Sequence, residues 1–154
     1  MKTTTSIDAF WTRFVKSQGI DNRTSPIAFS FCDNRNDADT CAALVVAGIK
    51  QATAPSLWWF DKHKETIPRV GEYFIVTNWD GEPQAVIQTT AVVVVPFGKV
   101  DTAFAFSEGE GDRSLAEWQR LHRSYYAREM GCNISEITDD FAVVCHHFRC
   151  IFSD

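Results

Sequence analysis

Several features that would define a class of protein are missing from this 154-residue sequence. It has no run of 18 apolar residues, and its best apolar stretches, CAALVVAGI and AVVVV, are too short to cross a bilayer. Its first residues, MKTTTSIDAFWTRF, lack the continuous apolar segment of a signal peptide. We therefore expect a cytoplasmic protein without a membrane partner.

Several sequence motifs for cofactor binding or catalysis are absent as well. The sequence has no P-loop, no G-x-G-x-x-G, no H-E-x-x-H and no G-x-S-x-G, which argues against P-loop phosphoryl transfer and dinucleotide chemistry. Its five cysteines include no C-x-x-C pair and show no zinc spacing with a histidine. The expectation is reduced, mostly buried thiols, with no metal and no cofactor.

Charge is unevenly distributed along the chain. The net charge of −5 argues against nucleic-acid binding over the whole surface. Residues 50–69 carry four positive and two negative charges, whereas residues 101–117 carry five negative charges and one positive charge. These segments are either two solvated faces or two sides of one site.

Hydrophobic periodicity predicts a single α+β domain, residues 1–154, around a curved sheet with about three helices. The strand signals include a hairpin at Asp80-Gly81 and a second hairpin strand long enough to bend with a bulge. The predicted elements are a helix at 6–18 packed on the sheet, a strand at 26–32, a helix capped by Asp37 or Asp39 that ends at Gly48, strands at 72–78 and 83–97, a helical turn at 101–106, a helix at 114–131 and a strand at 140–152.

Polar and aromatic residues follow the predicted helix stop at Gly48. Lys50 lies just past the helix C-terminus, where a cation is stabilised, and Thr53 lies in a segment that Pro55 keeps out of a helix. Either these are a solvated lysine and a turn threonine, or they line a site. We expect Lys50 to add little to the core.

In an extended segment Trp58 and Trp59 point to opposite faces, so one belongs to the core and the other is available for stacking.

The segment FSEGEGD alternates carboxylates with glycines. Glycine at positions 109 and 111 allows the backbone to approach another segment closely, which would carry Glu108 toward it. The alternative is a flexible acidic loop. His122, one turn after Trp118, is either a hydrogen-bonded residue at the edge of the core or a residue that lines the site.

Taken in order, these segments resemble the ASCH domain family. The resemblance runs from about residue 7 to about residue 152, and its most specific elements are G-x-K-x-x-T and A-x-x-E-G. The matching segments are AGIKQAT, IPRVGEYFIV, GEPQAVIQTT, FAFSEGEGD, LAEWQRLHRSYY and FAVVCHHFRCIF. The family fold is a small β-barrel similar to the PUA domain, with helices packed against it.

The resemblance also implies functions. ASCH domains were proposed to bind RNA, and some small bacterial members resemble amidohydrolases that deacylate N4-acetylcytidine. Their lysine, threonine and glutamate correspond to Lys50, Thr53 and Glu108, whereas the arginine that follows their threonine is absent here. Other members have been linked to cleavage of single-stranded RNA. The partner is thus a modified nucleoside or single-stranded RNA.

The chemistry of these residues leaves their roles open. In amide hydrolysis Thr53 is the candidate nucleophile and Lys50 the candidate base, but at its ordinary pKa of about 10.4 a lysine is almost always charged at neutral pH. If Glu108 contacts Lys50, the lysine stabilises negative charge and Glu108 handles protons. The rival hypotheses are a ribonuclease and a non-catalytic RNA-binding module, in which Lys62, Lys64 and Arg69 contact phosphates while Trp58 or Trp59 stacks on a base.

Overall fold

Helices and strands alternate irregularly in the computed structural model, which describes residues 4–20 and 25–154. Residues 1–3, the start of the stretch considered for a signal peptide, lie outside the described residues. The helices of the described residues are α1 (Thr4–Gln18), α2 (Arg35–Val46), α3 (Leu57–His63), α4 (Thr102–Glu108) and α5 (Leu115–Met130). The strands are β1 (Ala28–Phe29), β2 (Ala52–Thr53), β3 (Tyr73–Thr77), β4 (Pro83–Pro96) and β5 (Ala142–Ser153).

The strands form one mixed sheet in the order β1-β3-β4-β5-β2. β1 pairs with β3 in parallel, and the other pairs are antiparallel. The pairing of β4 with β5 shifts register twice, which agrees with the bulge predicted for this long strand. No pairing joins β1 to β2 within the described residues, so the sheet is open rather than a closed barrel. The predicted α+β class is confirmed.

Both faces of the β3–β4 hairpin are covered, because successive side chains of a strand point to opposite faces. Phe74, Val76 and Ile87 join the core that α2 completes. Ile75 and Val86 pack instead against the aromatic face of α1. A third core lies between β5, β2 and the helices α4 and α5, and it contains Ala52, Ala54, Phe97, Phe104, Trp118, Tyr126 and Val143.

Five α-helices occur in the described residues, where about three were predicted. The predicted helical turn at 101–106 extends to Glu108 as α4, and α3 was not predicted at all. The cap of α2 also differs: Asn34, rather than Asp37 or Asp39, accepts a hydrogen bond from the Asp37 backbone N–H. No helix of the described residues has both the length and the apolar character needed to cross a membrane.

One histidine is held inside the sheet. His146 is only 2% exposed, its Nε2 lies 2.8 Å from the Thr89 hydroxyl, and its ring contacts Phe74 and Phe148. Burial, with a smaller contribution from His147, lowers the pKa of His146 to about 4. The neutral imidazole is therefore the form that the folded protein prefers.

Acidification is expected to destabilise the fold through His146. Because its folded pKa lies below the ordinary value of 6.5, its contribution is complete above that value and is lost as the pH falls toward the folded pKa. From pH 7.5 to pH 5 the loss is about 2 kcal/mol. Urea unfolding at both pH values should show this for the wild type and a smaller loss for His146→Gln, which keeps a partner for Thr89 without titrating. An equal pH dependence in both proteins would contradict the assignment.

Candidate functional site

The chain turns inward where α2 ends. Gly48 adopts a left-handed conformation at φ +77°, and the backbone N–H groups of Ile49 and Lys50 both donate to the Leu44 carbonyl. The turn directs the Lys50 side chain into the protein, where the residue is 2% exposed. The prediction that Lys50 adds little to the interior is therefore wrong.

The Lys50 ammonium is surrounded by oxygen atoms. Its Nζ lies 2.6 Å from Glu108 Oε2, 2.7 Å from Glu110 Oε2, 2.9 Å from the Ala52 carbonyl oxygen and 3.2 Å from that of Glu108. Four acceptors therefore share its three N–H donors. Burial alone would lower the pKa of Lys50, but the charges of Glu108 and Glu110 outweigh it and hold the pKa well above its ordinary value. A charged lysine cannot act as a base.

A glycine brings the acidic segment to Lys50. α4 ends at Glu108, and Gly109 caps it in a left-handed conformation at φ +74°. A Cβ at position 109 would lie 2.8 Å from the Ile49 carbonyl oxygen and 3.0 Å from the Lys50 Cα. This close approach agrees with the expectation from the alternating glycines.

Glu108 is held from both sides. Its second carboxylate oxygen, Oε1, accepts a hydrogen bond of 3.2 Å from Trp118 Nε1 and lies 3.2 Å from His122 Nε2. His122 Nδ1 lies 2.9 Å from the Trp118 carbonyl oxygen, so both ring nitrogens face acceptors. Burial alone would raise the pKa of Glu108, but Lys50 and His122 outweigh it, and the pKa lies well below its ordinary value. His122 thus contacts the Lys50–Glu108 pair directly, and its role in a functional site stays a prediction.

Glu110 is the member of this cluster that reaches solvent. Its side chain is 25% exposed, whereas those of Lys50 and Glu108 are 1% exposed. Burial and the Glu108 carboxylate raise the pKa of Glu110, although Lys50 opposes the shift. The sequence analysis placed Glu110 in the acidic segment but not among the site residues. The sequence signal for Glu110 was the repeat E-G-E, which places two carboxylates within one turn of the chain.

Thr53 is connected to the cluster through the backbone. Lys50 donates to the carbonyl of Ala52, the residue directly before Thr53. Thr53 is half-buried in β2 and pairs with His146 of β5. Its hydroxyl makes no hydrogen bond to any described residue, so it is available to a ligand. The structure therefore brings Lys50 and Glu108 into contact, with Thr53 nearby along the chain but without a base on its hydroxyl.

The tryptophans and lysines predicted for binding lie on α3. Trp58 and Trp59 are successive residues of a helix rather than an extended chain, and both are half-buried, so the prediction of one core ring is wrong. Lys62 Nζ lies 5.4 Å from the Trp58 ring centroid, and Lys64 is exposed just after the helix. Among the described residues, no hydrogen bond or ring contact joins these four side chains to Lys50, Glu108 or Glu110.

Two groups of side chains in the described residues have the composition of metal ligands. One is Cys32, Cys41 and Glu110, and the other is Glu108, Glu110 and His122. In the second group Lys50 and Trp118 already donate to Glu108. The sequence analysis found no ligand spacing because each group joins residues from separate loops and helices.

Comparison with known proteins identifies the family. Residues 27–152 match the model of the ASCH domain. The crystal structure of an ASCH domain from Lactobacillus crispatus is 33% identical, with 97% of this chain and 96% of that chain covered and a TM-score of 0.84. A crystal structure of an Enterococcus faecalis protein is 28% identical, with 97% and 90% covered and a TM-score of 0.86. No curated protein matches the sequence.

A further solved structure, of a hypothetical protein, is 18% identical over 73% of this chain and 93% of its own, with a TM-score of 0.51, and shares the fold alone. The fold is thus that of an ASCH domain, which is PUA-like. This chain belongs to the ASCH domain family, which is associated with RNA binding.

Removing Lys50 is expected to destabilise the fold. Lys50→Met leaves the buried Glu108 carboxylate without its cation, which costs about 3–5 kcal/mol of unfolding free energy. The double variant Lys50→Met, Glu108→Leu should recover at least half of this loss, because the fully buried Glu108 charge is removed as well and only the partly exposed Glu110 carboxylate is left without its cation. Chemical denaturation of both variants measures the difference, with the exposed Lys62→Met as control. A single variant as stable as the control would contradict the buried pair.

Alanine at position 109 is expected to cost more stability than alanine at position 111. Both glycines have positive φ, but a Cβ at 109 meets the backbone of Ile49, whereas a Cβ at 111 meets the flexible side chain of Glu117. We expect a loss of about 3 kcal/mol for Gly109→Ala and about 1 kcal/mol for Gly111→Ala. Thermal and urea unfolding test this order, and equal losses would contradict the close approach.

Proposed function

We propose that this ASCH protein is a hydrolase that removes the acyl group from an N4-acylated cytidine. One observation carries the proposal: a buried Lys50–Glu108 ion pair holds a second carboxylate, Glu110, at the boundary with solvent. The resemblance of G-x-K-x-x-T and A-x-x-E-G to the bacterial amidohydrolases supports the same reaction.

The geometry favours Glu110 as the group that exchanges protons with the substrate. In the proposed reaction Glu110 takes a proton from water as the water oxygen attacks the acyl carbonyl carbon. The carbon–nitrogen bond then breaks, the proton passes to the leaving amine, and cytidine and a carboxylic acid are released. Glu108 keeps Lys50 charged, and Lys50 positions Glu110. This departs from a role for Lys50 as base.

Thr53 and His122 are proposed to support this reaction. The Thr53 hydroxyl makes no hydrogen bond to a described residue and is offered as a donor to the acyl oxygen or to the cytosine ring. His122 contacts Glu108 directly and fixes its carboxylate together with Trp118. Neither role requires Thr53 to become a nucleophile, for which no base lies against its hydroxyl.

Electrostatics favour a neutral amide over a phosphodiester at this cluster. Two carboxylates surround one ammonium, and all three Lys50 N–H donors already have acceptors. A phosphodiester brings a further negative charge toward these carboxylates, whereas an acylated nucleoside is uncharged. For this reason we place ribonuclease activity, in which Lys50 would stabilise a phosphorane, behind amide hydrolysis.

A non-catalytic RNA-binding role is the second candidate, and α3 supports it. Lys62 lies over the Trp58 ring, Trp59 stacks on His63 at 4.4 Å, and Lys64 is exposed beside them. Arg69 is also exposed, a few residues further on. Basic residues interleaved with aromatic rings suit contacts with phosphates and bases of a single strand. Among the described residues, no hydrogen bond or ring contact joins the Trp58, Trp59, Lys62 and Lys64 side chains to the Lys50 cluster. RNA binding and amide hydrolysis can therefore be tested independently.

Replacing Glu110 by glutamine is expected to lower deacylation of N4-acetylcytidine by about 100-fold or more, because the amide accepts the Lys50 hydrogen bond but transfers no proton. Chromatographic detection of cytidine and acetate measures turnover. Glu65→Gln, an exposed residue outside the cluster, is the matched control. The unfolding free energy of Glu110→Gln should stay within about 1 kcal/mol of the wild type, because the isosteric amide keeps the packing.

An inactive wild type would overturn the hydrolase proposal, as would a fully active Glu110→Gln. Binding of single-stranded RNA, measured at several salt concentrations, separates the second candidate. Phosphate contacts from α3 predict affinity that falls steeply with salt, and a loss of about one unit of salt slope in Lys62→Ala. Affinity that is independent of both salt and Lys62 would exclude that surface.

A further inference from the structure

Two thiols face each other beside the Lys50 cluster. Cys32 Sγ and Cys41 Sγ lie 3.6 Å apart, and both cysteines are free thiols. Cys32 adopts a left-handed conformation at φ +66°, which is unfavourable for a residue with a Cβ. Strained backbone at a non-glycine residue is concentrated at functional sites. Core packing alone therefore does not explain why these two thiols lie together.

Glu110 completes a three-ligand arrangement with these thiols. Its carboxylate oxygen and the two sulfurs all lie within 4.8 Å of one another. Two sulfurs bound tetrahedrally at about 2.3 Å from zinc lie about 3.8 Å apart, which is close to the separation found here. The sulfurs therefore need little movement to share one ion.

We propose that Cys32, Cys41 and Glu110 form a binding site for a thiophilic divalent metal ion of the Zn²⁺ type. Two thiolates and one carboxylate suit zinc rather than magnesium or calcium, which prefer oxygen ligands only. With three protein ligands, the fourth tetrahedral position is left for water. The site is shared between the loop before α2, α2 itself and the loop after α4.

Charge balance allows a cation this close to Lys50. A divalent ion displaces the two thiol protons, so the site gains no net charge when it binds. Glu110 offers one oxygen to the metal while Oε2 keeps its 2.7 Å contact with the Lys50 ammonium. A hydrogen-bonded partner of this kind orients a ligating carboxylate.

An ion has a path into the site from solvent. Cys41 is buried, but Cys32 is half-buried and the Glu110 side chain is 25% exposed. The metal would therefore enter on the side of Cys32 and Glu110 and meet Cys41 last.

Titration of the reduced protein with Co²⁺ and then Zn²⁺ tests the site. We expect one equivalent of Co²⁺ to bind with a thiolate-to-cobalt charge-transfer band in the near ultraviolet, and Zn²⁺ to displace it. Cys32→Gly removes one ligand and relieves the positive φ, so it should fold normally but lose the band and bind Zn²⁺ at least tenfold more weakly. Cys41→Ala should do the same, and Glu110→Gln should weaken binding at least tenfold.

Cys132→Ala is the matched control, because Cys132 is also half-buried but packs in the core between α5 and β5. It should bind one equivalent like the wild type. No saturable binding by the wild type, or binding that Cys32→Gly leaves unchanged, would overturn the proposal. So would quantitative formation of a Cys32–Cys41 disulfide by oxidised glutathione together with no Co²⁺ band in the reduced protein, since the pair would then be a redox pair.

Discussion

The structure around the site depends on one buried ion pair. Lys50 and Glu108 are 58 residues apart in sequence, and both are almost completely removed from solvent. Desolvation of either charge alone is costly, and it is offset only when the two lie in contact with their remaining hydrogen-bonding groups satisfied. The connection after α2 and the C-terminal end of α4 are thereby fixed relative to each other. Gly109 is required by the same contact, since a side chain there would separate the two segments.

The Lys50–Glu108 ion pair also determines which neighbouring side chains can still bind a ligand. Glu108 is bound on one oxygen by Lys50 and on the other by Trp118 and His122, so it has no free position for a ligand. Glu110 contacts Lys50 and Glu108 but is partly exposed. Both the proposed hydrolysis and the proposed metal site therefore use this carboxylate, and the two are alternatives at any one moment, since a carboxylate that contacts Lys50 and a metal ion has no oxygen left to accept a proton from water. The partly exposed Glu110 carboxylate is therefore more informative about function than the buried Glu108 carboxylate.

Sequence patterns predicted the regular elements well where the signal was local. The Asp80-Gly81 hairpin and α5, predicted at 114–131 and found at Leu115–Met130, are examples, because turn and cap preferences act within a few residues. The burial of Lys50 was not predictable from its own segment, since it depends on carboxylates 58 and 60 residues away. α3 was missed because a seven-residue helix after Pro55 has almost no periodic signal. The family resemblance paired Lys50 with Glu108, which periodicity does not do.

Charge balance at the site links the proposed hydrolysis and the proposed metal site. The cluster of Lys50, Glu108 and Glu110 carries one positive and two negative formal charges and is largely closed to water, so a ligand that brings further negative charge is disfavoured there. An uncharged acylated base adds none. A divalent metal exchanges its two charges for the protons of Cys32 and Cys41. A phosphodiester does neither, which is why contacts with RNA backbone are better assigned to the exposed lysines of α3 than to Lys50.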